Sequence, residues 1–74
     1  MATTLTPTCG QQIGETAGLV WSELNDRGPM SIAKLVREVS QPRDVVMQAV
    51  GWLAREDKIL IQDTNRGRRV SLIQ

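Results

Sequence analysis

Histidine, phenylalanine and tyrosine are absent from this chain of 74 residues, and cysteine occurs once. Each gap removes a class of chemistry. Without histidine there is no imidazole general base, and the commonest metal ligand is missing. Cys9 alone forms neither an internal disulfide nor a nucleophile–base pair, so it is expected to be a free thiol in a reducing cytoplasm. With two tryptophans as the only aromatics, the core must be built from Leu, Ile, Val and Ala. A chain this short buries one small core and has little room for a catalytic pocket besides. No catalytic residue, metal or cofactor is expected, and the chain reads as a binding protein rather than an enzyme.

Charge of one sign is also lacking. The formal net charge is +1, whereas free-standing nucleic-acid binders are usually far more basic. No run reaches the length of a membrane-spanning helix, and the first residues lack the basic-then-apolar pattern of a secretory signal. The expectation is therefore a cytoplasmic protein without membrane contact. Residues 1–9, rich in Thr with one Pro, carry no apolar period and are expected to form a loose lead-in to a single domain spanning 10–74.

What is present is an ordered series of short periodic segments. Thr8 and Gln11 have the spacing of a capping box, and Ile13, Ala17, Val20, Trp21 and Leu24 share one face of a helix from about Gly10 to Asp26. Asn25-Asp26-Arg27-Gly28-Pro29 ends it. Met30 fits a very short strand, and Ser31 caps a second helix whose buried stripe is Ile32, Leu35, Val36 and Val39. Lys34 and Glu38 have the spacing of a solvent-facing pair on that helix. After Ser40-Gln41-Pro42, a third helix reaches Glu56, with Pro42 in its first turn and Val46, Ala49, Val50 and Leu53 inward. Asp44, Met47, Gln48, Gly51 and Arg55 then fall outward. The chain finishes as a hairpin. A four-residue loop from Thr64 to Gly67 pairs Asp63 with Arg68, Ile61 with Val70 and Ile59 with Leu72, which gathers four branched side chains on one face.

Three helices followed by a basic hairpin predict a winged helix-turn-helix, mainly α with a small β-hairpin (α+β). The segments Ile13-Gly14-Glu15-Thr16-Ala17-Gly18-Leu19-Val20-Trp21, Gly28-Pro29-Met30-Ser31-Ile32-Ala33 and Gly51-Trp52-Leu53-Ala54-Arg55-Glu56-Asp57-Lys58-Ile59 resemble a small family of stand-alone bacterial winged-helix proteins known as a domain of unknown function. The resemblance covers nearly all of the chain after residue 10. It implies the fold and a bacterial cytoplasmic protein, and it supplies no catalytic or ligand residue.

Function must be argued from the surface. Arg66, Arg68 and Arg69 crowd the hairpin tip with no acid among them, a pattern suited to backbone phosphates or the minor groove. The same arginines would also keep a short hairpin from pairing with others. On the third helix Gln41, Arg43, Met47 and Gln48 are the candidate groove-facing residues, since Gln matches adenine and Arg matches guanine or phosphate. Asp44 counts against them, because a carboxylate facing a groove repels phosphate. Gly14, Gly18 and Gly51 admit close approach of a partner or simple tolerance. Leu19 is a lone outward leucine. Trp21 is placed in the core, and Trp52 on its flank, over the second helix or the base of the wing. The expected function is binding of double-stranded DNA as a small regulator or accessory factor, by a monomer or homodimer. A protein-interaction module built on the same fold is the alternative.

Overall fold

The computed structural model describes residues 8–73, and the expectation of a loose lead-in concerns residues that lie mostly outside that range. The elements are α1 (Cys9–Arg27), β1 (Met30–Ser31), α2 (Ile32–Glu38), α3 (Arg43–Arg55), β2 (Ile59–Thr64) and β3 (Gly67–Leu72). Helix α1 begins one residue earlier than expected, because the capping box starts it at once. The Thr8 hydroxyl accepts from the Gln11 N–H at 3.1 Å, and the Thr8 N–H donates to Gln11 Oε1 at 2.8 Å. Cys9 thus opens the helix rather than closing the lead-in, and it is exposed. Gly28, at φ 84°, ends α1 in a conformation costly for any side chain, and its N–H donates to the Leu24 carbonyl at 2.8 Å.

Met30 and Ser31 do form a strand. It pairs antiparallel with β3, Met30 opposite Val70 and Ser31 opposite Arg69, in a sheet of order β1-β3-β2. The hairpin register is the expected one, with Asp63, Ile61 and Ile59 opposite Arg68, Val70 and Leu72. Thr64 also pairs with Gly67, so the loop proper shortens to Asn65-Arg66. The Thr64 hydroxyl makes this possible, donating to the Gly67 carbonyl at 2.7 Å and accepting from the Arg66 N–H at 3.2 Å. Gly67 takes φ +120°, a value that L residues rarely adopt.

One core joins all six elements: Ala17, Val20 and Leu24 of α1, Met30 of β1, Ile32 and Leu35 of α2, then Val39, Val46, Ala49, Val50 and Leu53, with Ile59 and Val70 from the wing. The inward face of α3 is as expected, with all four residues buried. At about 25 cal/mol per Å² of apolar surface removed from water, this branched aliphatic cluster is the main stabilising term.

Three expectations about packing are corrected. Trp21 is not core: it is 42% exposed, and Thr16 is buried instead. At 100° per residue Trp21 and Thr16 lie about 70° to either side of the stripe formed by Ala17, Val20 and Leu24, so helical angle alone does not choose between them. Trp52 is 50% exposed and flanks α1, lining a groove with Gly14 and Gly18, rather than α2 or the wing base. Glu38 does not engage Lys34. It meets Arg27 at 3.1 Å, a cation that Glu23 also contacts at 3.3 Å. This small cluster bridges the end of α1 to α2, which the local spacing of Lys34 and Glu38 cannot disclose.

Candidate nucleic-acid interface

The wing and the start of α3 meet at one end of the molecule. Helix α3 starts after Pro42, whose backbone is extended (φ −55°, ψ 142°) and which supplies no side-chain cap. Arg43 and Asp44 therefore occupy the first turn. The Asp44 carboxylate is turned back on the helix, where Oδ1 accepts from the Val45 N–H at 2.9 Å. There it complements the positive end of the helix dipole.

Arg43, Met47, Ile32 and Arg68 line a groove of about 340 Å³ between α3 and the wing. A second concavity of about 410 Å³ lies along the wing, lined by Ser31, Thr64, Asn65, Arg66, Arg68 and Arg69. Arg68 belongs to both and joins the first turn of α3 to the arginine-rich tip. Its position follows from register: Arg68 lies on the same face of the hairpin as Val70 and Leu72, but beyond the core. Arg69 lies on the opposite face, across from Gln62 and Ser31.

The candidate residues from the sequence therefore separate. Arg43, Met47 and Arg68 come together, with Arg66 and Arg69 continuing the same end. Met47 is not a free outward side chain as expected: it is half-buried and packs against the core, forming the apolar floor between two guanidinium groups. Gln48 is exposed on α3 but lines neither concavity. Gln41 lies apart, in a groove with Leu19, Glu23, Glu38 and Val39 on the α1–α2 side. Its N–H donates to the Val39 carbonyl at 2.7 Å, which holds the turn between the two helices. Ser31, Thr64 and Asn65 were not singled out as site residues. Their strand pairing and turn chemistry could have placed them there.

The arginine tip is less free of acid than the turn alone implies. Arg68 Nε lies 3.1 Å from Asp63 Oδ1, directly across the hairpin. Both side chains are largely exposed, so the pair is worth about 0–1 kcal/mol and a phosphate can displace the carboxylate. Arg43, Arg66 and Arg69 make no ion pair among the described residues. Four guanidinium groups against the carboxylates of Asp44 and Asp63 leave this end positive while the whole chain is almost neutral.

A helix-turn-helix whose second helix shares a groove with a three-stranded wing defines a winged-helix protein. Residues 9–72 match the family described as "Winged helix-turn-helix domain (DUF2582)", and the chain belongs to that family. It is 40% identical over 52 residues to "Uncharacterized protein MJ1608" of the archaeon Methanocaldococcus jannaschii, covering 68% of this chain and 74% of the relative. The solution NMR structure of protein BT2368 from Bacteroides thetaiotaomicron superposes with a TM-score of 0.78 at 35% identity, over 88% of this chain and 79% of that one. With relatives in an archaeon and a bacterium, membership does not restrict the chain to bacteria.

Proposed function

We propose that this protein binds double-stranded DNA in the cytoplasm as a small regulator or accessory factor, without a catalytic step. The observation that carries the proposal is the shared groove of Arg43 and Arg68, which aligns the start of α3 with the wing. The α3 N-terminus approaches the major groove, and Arg66, Arg68 and Arg69 hold phosphates beside it. Gln48 is the outward α3 side chain available to read a base edge, and Met47 supplies an apolar surface for a thymine methyl. Gln41 holds the turn and is left out of the contact set.

The test is titration of a labelled random duplex at about 50 mM salt, where phosphate contacts are strong. Binding that weakens linearly in log–log form as salt rises supports the reading, and no binding by the parent protein overturns it. A protein-partner function has its own support in the exposed Trp21 and Trp52. Neither tryptophan lines the arginine grooves, so the two surfaces serve different contacts.

A further inference from the structure

The two tryptophans lie together. Trp21 and Trp52 line one open groove of about 440 Å³ between α1 and α3, floored by Gly14, Ala17, Gly18 and Leu53. A smaller concavity continues it toward the start of α1 along Gly10, Ile13, Gly14 and Trp52. Gly10, Gly14 and Gly18 fall on one flank of α1, four residues apart, and each helical glycine costs up to about 1 kcal/mol relative to alanine. The fold itself gives no reason for that cost. Among the described residues, a Cβ at any of the three would meet no atom within 4 Å, and none of them has the positive φ that calls for glycine.

We propose that this α1–α3 face is the self-association surface of the protein, and that its occupant is a second copy of the same chain. An isologous contact needs projections and hollows on a single patch, because each copy presents the same surface to the other. Here Trp21 and Trp52 are the projections and the glycine flank is the hollow. A tryptophan brings up to about 250 Å² to an interface, so side chains exposed to 42% and 50% offer roughly 200 Å² together. That is about a quarter of the ~800 Å² that one protomer gives a standard interface, concentrated in the residue type that most often anchors one. Among the described residues, Lys58 is the one charged side chain lining the groove, so little charge is desolvated on closure of the groove itself. The wing and the first turn of α3 contribute nothing to the patch and stay open to other contacts. The inference does not depend on DNA binding, and its test contains no DNA.

Sedimentation equilibrium of the 74-residue chain at concentrations from about 5 to 500 μM should show a monomer–dimer equilibrium in the micromolar range. Gly14→Gln and Gly18→Gln each place a side chain where the isolated fold has open space, so both variants keep their helical circular dichroism and melt no lower than the parent as monomers. Each should weaken association at least tenfold, as should Trp52→Gln. A parent that stays at the monomer mass of 8.2 kDa over the whole range overturns the proposal. So does a dimer that the glycine variants leave intact, since it must use another face. A monomer whose tryptophan emission shifts red on removal of residues 1–7 also overturns it, by giving the groove to the chain's own N-terminal segment.

Discussion

On one flank of α3, Arg43 and Met47 face Arg68 of the wing; on the other, Trp52 lies beside Gly14 and Gly18 of α1. The two flanks share a backbone and a buried stripe and differ in almost everything else. The wing flank is built of guanidinium groups around a small apolar floor. Attraction there acts at a distance and weakens with salt. The α1 flank is short-range: tryptophan rings and bare helix backbone have affinity only for a surface that touches them. A near-neutral total charge conceals this division, since arginines outnumber acids at the wing end while the remaining cations and acids of the chain nearly balance.

Substitutions can break or sharpen the contrast, and the largest effect should come from a residue common to both sides. Leu53 is 5% exposed, belongs to the core and floors the tryptophan groove. Leu53→Ala should cost about 2–5 kcal/mol by denaturant unfolding, through lost transfer energy and a cavity. For a domain of this size that is a large share of the total. A melting temperature within a couple of degrees of the parent's would refute the inward facing of α3.

The next effect should fall on the wing alone. Replacing Arg66, Arg68 and Arg69 with Gln should flatten the slope of log K against log salt by about 2.7, at about 0.9 per phosphate. All duplex sequences should weaken alike, and the fold should survive, since none of the three side chains belongs to the core. A flattening near 1.8 would mean that Asp63 keeps Arg68 from its phosphate. Gln48→Ala should leave the slope unchanged and alter only preference among sequences.

Asp63→Asn should act in the opposite direction and more weakly. It removes the acid facing Arg68, so duplex affinity should rise by under about 1 kcal/mol with no change in monomer mass. Unchanged affinity would show that the exposed pair opens freely. The smallest effect expected is that of deleting residues 1–7 while keeping the Thr8 cap. Stability should change by less than about 0.5 kcal/mol in a thermal melt, because the sequence of residues 1–7 has no apolar period with which to dock.

Most of the fold was legible because each local signal had a single solution. Thr8 with Gln11, Ser31 before Ile32, and the alternation Ile59-Ile61 against Val70-Leu72 depend on neighbours in sequence, and all three appear as expected. Errors arose where side chains lie at the edge of a stripe or answer to distant residues. Trp21 and Thr16 flank the α1 stripe at nearly equal angles on opposite sides, and the packing of neighbouring elements, which α1's own spacing does not contain, buries one and leaves the other exposed. Glu38 turned to Arg27 because the end of α1 packs beside α2, a contact that spacing along α2 does not contain. The candidate site was half legible. Residue types identified the arginines, but only the three-dimensional register brings Arg43 to Arg68, sets Gln41 apart and draws Met47 halfway into the core.

Ser31 holds two positions at once: its backbone pairs with Arg69 in the sheet, while its hydroxyl accepts from the Lys34 N–H at 3.1 Å to start α2. The first helix of the pair and the arginine wing are thus tied directly to each other at this residue, beside the Met30–Val70 pairing and the shared core. Lengthening the Asn65-Arg66 turn would disturb only the hairpin tip. One residue added or lost between Gly28 and Ile32 would shift the wing against the helices and misalign every arginine with respect to α3. As related sequences diverge, length should drift at the tip of the hairpin and hold constant at this junction.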